Sequence, residues 1–172
     1  MTTRKKQLVY TKSWPRKNLG ELLNFLEQMH PEGISLKALS AKLGMTPGAI
    51  SNIFMRDDMK LSKAESIVRA YGYELKLFFP TRTFPEGITP PQHGKTFDTA
   101  GNLQGLARYI YDGNRTINYV AHSMGMYATM LSNSIKKGDI FLSKLYNVTD
   151  SMGICFYWKY IKQEQQEQPN QS

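Results

Sequence analysis

The sequence repeats itself once at a separation of 81 residues, and this repeat constrains the fold more than any other feature. Residues 35–79 align without a gap to residues 116–160, and nine of the 45 aligned pairs are identical. Average composition gives about three identities by chance. The identical pairs are Gly44/Gly125, Met45/Met126, Ser51/Ser132, Asn52/Asn133, Asp58/Asp139, Leu61/Leu142, Ser62/Ser143, Lys63/Lys144 and Gly72/Gly153. We therefore expect two copies of one small fold in a single chain.

The composition indicates a globular protein with a polyanionic partner. Hydrophobic residues make up 41% of the chain, and the formal net charge is +8. Such a surplus suits either a nucleic acid or an anionic membrane. No apolar stretch reaches the roughly 18 residues that a membrane span needs, so we expect no membrane partner. The single cysteine, Cys155, excludes an intrachain disulfide and favours a cytoplasmic location.

Charge and turn residues divide the chain into five segments. The first 17 residues contain basic residues and no acid, while residues 80–99 contain four prolines and two glycines. The predicted segments are a basic N-terminal arm (1–17), a first helical unit (18–80), a linker (81–99), a second unit (100–161) and a polar, disordered tail (162–172). The basic residues of the arm are Arg4, Lys5, Lys6, Lys12, Arg16 and Lys17, with a short strand expected at Gln7–Thr11.

Capping signals predict a series of short helices in the first unit. The spacing of Asn18 and Glu21 matches a capping box, as does that of Ser62 and Glu65. The remaining signals are Ser35 as the cap of a helix over Leu36–Leu43 that ends at Gly44, Thr46-Pro47 as the start of a helix to Met55, and Asp57-Asp58 as its break. The alternating, aromatic segment 73–79 then predicts a strand.

Both units contain the small residue, turn glycine and branched aliphatic residue that a helix-turn-helix requires. The small residue allows two helices to cross, the glycine adopts the turn, and the aliphatic residue buries the second helix. In chain order these residues are Ser40, Gly44 and Ile50 in the first unit and Ala121, Gly125 and Leu131 in the second. An apolar stripe is expected along each second helix, formed by Ala49, Ile50 and Ile53 and by Met130, Leu131 and Ile135.

The segment from Leu36 to Pro80 resembles the Cro/C1-type (XRE-family) helix-turn-helix domain, and residues 100–160 resemble it more loosely. The resemblance implies a mainly α protein of two tandem five-helix helix-turn-helix bundles. A short β-strand is expected after each bundle, and the two strands are expected to pair into a small sheet. The second unit departs from the family pattern because Tyr127 and Ala128 replace the Thr-Pro opening.

The resemblance also implies that the second helix of each motif lies in the major groove of double-stranded DNA. Carried onto this chain, the contact residues of the first unit are Thr46, Gly48, Ser51, Asn52, Met55, Arg56, Lys60 and Lys63. Those of the second unit are Tyr127, Thr129, Ser132, Asn133, Lys136, Lys137 and Lys144. The asparagines are the expected base readers, the lysines and Arg56 are expected to contact phosphates, and the arm is expected to lie along the DNA backbone.

The sequence favours a bacterial or phage transcription regulator, a repressor, over an enzyme. The histidines are far apart, no phosphate-binding glycine motif is present, and no cofactor or metal is expected. One alternative is an antitoxin-like DNA-binding module that also binds a partner protein, and another is an architectural or excision factor of a mobile element. An adjacent toxin gene would support the former, and an adjacent integrase gene the latter.

The strands at 73–79 and 154–160 occupy matched positions, so a pseudo-two-fold axis would pair them antiparallel. This arrangement gives an intrachain pseudo-dimer with recognition helices about 34 Å apart on an imperfect palindrome. The alternative is a homodimer in which each strand pairs with its own copy in a second chain.

Overall fold

The computed structural model describes residues 8–89, 101–113 and 115–164, and in these ranges it contains eight α-helices and one two-stranded sheet. The mainly α architecture is therefore confirmed. The elements are α1 (Gly20–Met29), α2 (Leu36–Leu43), α3 (Pro47–Arg56), α4 (Leu61–Ala70), β1 (Tyr73–Phe78), α5 (Gln104–Asp112), α6 (Ile117–Ser123), α7 (Ala128–Lys137), α8 (Leu142–Ser151) and β2 (Tyr157–Lys162). Within the described ranges, every helix is too short or too polar to cross a membrane.

The repeat is visible in the element boundaries and in the core. Helix α7 spans the residues that lie 81 positions after α3, and α8 stands in the same relation to α4. Apolar side chains are buried at equivalent positions of the two units. These pairs are Leu22/Leu103, Phe25/Leu106, Leu39/Val120, Ile50/Leu131, Phe54/Ile135, Leu61/Leu142 and Ile67/Val148. Each unit thus buries the same faces of its helices, and the buried residues of both units belong to one hydrophobic cluster.

Each unit contains four α-helices in the described residues, not the five that the family resemblance implies. Helix α4 ends before Gly72, which adopts a left-handed conformation with φ of 82°. The next six residues, Tyr73–Phe78, form β1. Their alternation of apolar and polar residues, rich in aromatics, favours a half-buried strand over a fifth helix.

The caps at the starts of α2 and α3 are local, as predicted. The hydroxyl of Ser35 accepts a hydrogen bond from the backbone N–H of Ala38 at 3.4 Å, and that of Thr46 accepts from Ala49 at 3.2 Å. Gly44 follows α2 with φ of 62°. A Cβ atom at Gly44 would meet nothing within 4 Å, so glycine is required there by its dihedral angles and not by space.

The two predicted capping boxes are wrong, because distant carboxylates cap these helices instead. Helix α1 begins at Gly20, and the Asp57 carboxylate accepts the backbone N–H groups of Asn18 and Leu19 at 2.9–3.1 Å. Helix α4 begins at Leu61, one residue before the predicted cap, Ser62, which donates to Asp139. Asp57 itself has φ of 54°, which ends α3 where the sequence predicts a break.

The predicted antiparallel pairing of the two strands is confirmed, and it forms within one chain. Leu77 lies opposite Trp158, and these two residues are themselves equivalent in the repeat. Because an antiparallel pair of equivalent residues maps onto itself, this pair lies on the pseudo-two-fold axis. Strand β2 begins at Tyr157 and not at Ile154. The ladder ends at the Phe78–Tyr157 pair, two residues before Pro80.

The sheet packs on both units through aromatic side chains. Tyr160 stacks on Phe25 of α1 with ring centroids 4.4 Å apart, and its hydroxyl donates to the Glu21 carbonyl oxygen. On the other side, the indole N–H of Trp158 donates to the Tyr146 hydroxyl at 2.9 Å. Burial raises the pKa of Tyr146 to about 12. Strand β2 therefore belongs to the second unit in sequence but is packed against the first helix of the other unit.

A second interface lies at the start of α4 and α8, and its contacts are reciprocal. The Asp58 carboxylate accepts hydrogen bonds from the backbone N–H and hydroxyl of Ser143, at 3.0 and 2.7 Å. Asp139 accepts the equivalent pair from Ser62, at 2.9 and 2.8 Å. The N–H of Leu61 donates to Ile140, and that of Leu142 donates to Met59. Such an exchange is the signature of a two-fold interface.

The N-terminal arm is shorter than predicted, because residues 8–17 belong to the first unit. Trp14 is buried and stacks on Phe54 of α3, with ring centroids 4.9 Å apart. Arg16 forms an ion pair with Glu27 and donates to Asn24, so it does not extend freely toward DNA. The expected strand is limited to one bridge between Leu8 and Ser35, followed by a short 3-10 helix, Thr11–Ser13. Arg4, Lys5 and Lys6 lie outside the described residues.

The predicted linker and tail are also partly folded. The Arg82 guanidinium donates to the Tyr109 carbonyl oxygen at 3.0 Å and lies 4.1 Å above the Tyr109 ring. Lys162 is the last residue of β2, and the N–H of Gln163 donates to Gly72 at 2.9 Å. The rest of the predicted linker, residues 90–99, and of the tail, residues 165–172, lies outside the described residues.

The reciprocal caps should make each unit depend on the other for stability. We expect Asp58→Ala to lower the free energy of unfolding by about 1 kcal/mol and Asp139→Ala to do the same, because each leaves a helix end uncapped. Asp58→Asn, which keeps an acceptor oxygen, should cost less. Urea denaturation followed by circular dichroism measures these changes. In Asp58→Ala, amide exchange should accelerate at Ser143 in the other unit; an effect confined to the first unit would contradict the reciprocal arrangement.

Candidate nucleic-acid interface

Helices α3 and α7 present a polar face to solvent because a few residues bury the opposite face. Ile50 and Phe54 are the buried residues of α3, and Leu131 and Ile135 are those of α7. The preceding turns are set by Gly44 and its equivalent Gly125, whose φ is 68°. The turn and the buried face of each helix are therefore built from the same positions in the two units.

The predicted contact residues of the first unit lie together on or beside α3. Thr46, Gly48, Asn52, Met55 and Arg56 are exposed, and Ser51 is half-buried. The Thr46 hydroxyl also caps α3, because it accepts a hydrogen bond from the backbone N–H of Ala49. The Asn52 side chain has free amide donors and acceptor in the described structure and lies on the solvent face.

The predicted residues of the second unit occupy equivalent positions with different chemistry. Tyr127 is 78% exposed, and Thr129, Asn133, Lys136 and Lys137 are also exposed. Ser132 is half-buried, like its equivalent in the first unit. Met130 is 44% exposed, so it does not contribute to the apolar stripe predicted for this helix. The apolar residues of α7 that contact the core are Leu131, Ile135 and the partly buried Ala128.

The remaining predicted cations flank the reciprocal interface. Lys60 is exposed, while Lys63 and Lys144 are half-buried. The ammonium group of Lys60 lies 5.7 Å from the centre of the Phe141 ring, and that of Lys144 lies 6.0 Å from the same centre. Phe141 thus joins cations from both units, although it was not among the predicted site residues.

The acids beside this basic surface are engaged in capping. Asp57, Asp58 and Asp139 each accept backbone N–H groups at a helix start. Farther along α4, burial raises the pKa of Glu65, whose carboxylate accepts from the Asn102 amide. In the N-terminal segment, hydrogen bonds from Thr11 and Arg16 lower the pKa of Glu27. The cations Arg56, Lys136 and Lys137 are exposed on the recognition helices.

Sequence reasoning identified the shared Asp58/Asp139 and Ser62/Ser143 pairs but gave them no role in joining the units. Their signal is present in the sequence, since the segments DMKLSK and DIFLSK place an identical Asp, Leu, Ser and Lys at matched positions. Phe141 carries no such signal, because its equivalent is Lys60. Its significance depends on the two residues lying opposite each other as an antiparallel bridge.

Among the described residues, no group of three or more histidine, cysteine, aspartate or glutamate side chains could hold a metal ion. Comparison with known proteins gives no match to a family model, to a curated protein or to a solved structure.

Helices α3 and α7 should differ in how much the residue before each helix stabilises it. Thr46 caps α3, whereas its equivalent Tyr127 makes no side-chain cap bond to the described part of α7. We expect Tyr127→Ser to raise the free energy of unfolding by about 0.5–1 kcal/mol and Thr46→Ala to lower it by about 1 kcal/mol. Urea denaturation measures both. A destabilising Tyr127→Ser change would show instead that the tyrosine ring contributes more by packing than a cap contributes.

Proposed function

We propose that the chain is a sequence-specific double-stranded DNA-binding transcription regulator that uses its two helix-turn-helix units on one pseudo-palindromic site. The supporting observation is that α3 and α7 are matched, exposed helices of two units that are joined by a pseudo-two-fold interface. The contacts of this interface are the hydrogen bonds from Ser62 to Asp139 and from Ser143 to Asp58. DNA backbones are themselves related by two-fold symmetry, so dimeric helix-turn-helix proteins place equivalent helices in successive turns of the major groove. Here one chain supplies both halves.

The residue chemistry of the exposed faces suits base recognition. Asn52 and Asn133 occupy equivalent exposed positions. In the major groove, adenine presents N7 as an acceptor next to its N6 amino group as a donor. An asparagine amide matches this pair, because its NH₂ group can donate to N7 while its oxygen accepts from N6. Asparagine is therefore the usual reader of adenine. The hydroxyls of the neighbouring Ser51 and Ser132 can donate to an acceptor or accept from a donor on a base edge. We therefore assign sequence reading to these two Ser-Asn pairs.

The cations support backbone contacts. Arg56 and Lys137 are equivalent and exposed at the ends of α3 and α7, and Lys63 and Lys144 are equivalent on the helices that follow. Phosphate contacts fix the position of a protein on the duplex but carry no sequence information directly. Their duplication at matched positions gives each half of the proposed site its own anchors.

The two half-sites should not be read equally. The first unit has Thr46, Gly48 and Met55 where the second has Tyr127, Thr129 and Lys136. The second recognition helix is therefore bulkier at its start and more basic at its end. We infer that the first unit contributes more of the base discrimination and the second more of the electrostatic affinity. The resulting site is an imperfect palindrome.

Selection of bound duplexes from a random DNA pool tests the proposal. We expect one enriched motif with two half-sites whose centres are separated by about 10 base pairs, or one helical turn. Enrichment of a single half-site would retain DNA binding but contradict the use of both units. A pool that shows no enrichment, together with no duplex binding at low salt, would overturn the proposed function.

Binding should depend strongly on salt. The candidate surface contains at least six cations, Arg56, Lys60, Lys63, Lys136, Lys137 and Lys144. For contact with about six phosphates, counterion release weakens binding by about 10³-fold between 50 and 200 mM salt. Fluorescence anisotropy measures the slope of affinity against salt.

Deletion of residues 1–7 removes Arg4, Lys5 and Lys6 and leaves the packed segment that begins at Leu8. We expect this deletion to flatten the dependence of affinity on salt without lowering stability, because it removes three cations. An unchanged slope would exclude these three residues from DNA contact.

Asparagine and lysine substitutions should affect binding differently. We expect Asn52→Ala to cost about 1–3 kcal/mol on the selected site and much less on random DNA, because it removes a base contact. Lys137→Ala should weaken binding to both DNAs by a similar factor, because phosphates are common to every sequence. Competition titrations with the two duplexes measure the ratio. Equal weakening of both duplexes by Asn52→Ala would show that Asn52 is not a base reader.

A further inference from the structure

Two residue pairs lie on the pseudo-two-fold axis, and they mark its two contacts. Leu77 and Trp158 pair in the sheet, and Lys60 and Phe141 pair as an isolated antiparallel bridge between the units. Both are pairs of residues 81 positions apart, so each residue faces its own equivalent. The reciprocal hydrogen bonds from Ser62 to Asp139 and from Ser143 to Asp58 flank the second pair on both sides.

The Lys60–Phe141 pair is the one beside the recognition helices. Helix α3 ends four residues before Lys60, and α7 ends four residues before Phe141. Four residues of extended chain span at most about 14 Å. Phe141 also lines one surface pocket together with Ile53 and Arg56 of α3, which belong to the other unit. In a complex where both recognition helices occupy the major groove, this end of the axis therefore faces the centre of the DNA site.

The chemistry of this pair is one that a symmetric dimer of identical chains cannot form. Identical chains would place either two lysines or two phenylalanines on the axis. Here the ammonium groups of Lys60 and Lys144 lie 5.7 and 6.0 Å from the centre of the Phe141 ring, which remains 41% exposed.

The helix ends at this surface are already occupied. Asp58 and Asp139 accept the N–H groups at the starts of α8 and α4, so these ends have no free role in binding an anion. The groups left beside the centre are the exposed ring of Phe141 and the cations Lys60, Lys63 and Lys144. This combination suits a DNA minor groove, where cations approach the phosphates and an apolar side chain enters between two base pairs.

We propose that Lys60 and Phe141 form a central DNA-contact element, in which Phe141 enters the minor groove at the middle base step and Lys60 binds the adjacent phosphates. The inference rests on the proposed function and adds a determinant that the recognition helices do not supply. Partial unstacking is easiest at pyrimidine–purine steps such as TA and CA. The chain therefore prefers a flexible step at the centre of its site, between the half-sites that the recognition helices read.

The test uses the full chain and two duplexes that share the selected half-sites and differ only in the central step, TA against GC. Competition titration gives the affinity ratio, and energy transfer between dyes at the duplex ends reports bending. We expect the unmodified protein to prefer TA by at least about fivefold, as for other single-position changes in a site, and to bend it. Phe141→Ala and Phe141→Lys should lose most of the preference and the bend, while Phe141→Leu should keep part of both because leucine also serves as a wedge.

The controls separate this inference from folding and from the proposed function. Tyr157→Ala removes an exposed aromatic ring from the sheet and should leave the preference unchanged. Circular dichroism checks that each variant is folded. Phe141→Lys retains a long side chain but replaces the aromatic ring with an ammonium group, so it tests the ring and not the bulk of the side chain. Binding of both duplexes with equal affinity, or a preference that survives in both Phe141→Ala and Phe141→Lys, would overturn the central contact alone. Absence of binding to either duplex would overturn the proposed function as well.

Discussion

The reciprocal exchange between Asp58 and Ser143 and between Asp139 and Ser62 is the constraint on which the rest of the structure depends. Asp58 follows α3 and caps α8 of the other unit, and Asp139 follows α7 and caps α4. A single set of contacts thus fixes the start of α4 and α8 and the relation between α3 and α7. Because capping groups must lie within hydrogen-bonding distance, a change in the relation of the units would uncap both helices together.

Covalent linkage of the two units allows the interface to be asymmetric. In a dimer of identical chains, a substitution appears on both sides of the axis, so favourable mixed pairs such as Lys60–Phe141 and Leu77–Trp158 cannot form there. One chain with two units is free of this restriction. Strand β2 packs through Tyr160 onto Phe25 of the first unit, whereas Phe79, the equivalent of Tyr160, follows the end of β1 and stacks on Phe156. The same freedom gives the proposed DNA site two different halves and a distinct centre.

The structure makes the recognition surface a consequence of the core. Ile50, Phe54, Leu131 and Ile135 are buried, and the helical period then leaves Asn52 and Asn133 toward solvent. Trp14 adds to this support by stacking on Phe54, which ties the end of the N-terminal segment to α3. The composition of residues 1–17 predicts a free basic arm, but Trp14 in this segment packs against α3 and supports it.

The sequence by itself determined the features that depend on neighbouring residues: the 81-residue repeat, the caps at Ser35 and Thr46, the turn at Gly44 and the two strands. These follow from local dihedral preferences and short-range hydrogen bonds, which a sequence pattern records directly. Only the tertiary structure decided that Asp57, Asp58 and Asp139 cap helices formed by distant residues. It also decided that Phe141 lies opposite Lys60. Contacts between residues that are distant in sequence are set by the packing of the two units against each other, and they leave no periodic pattern along the chain.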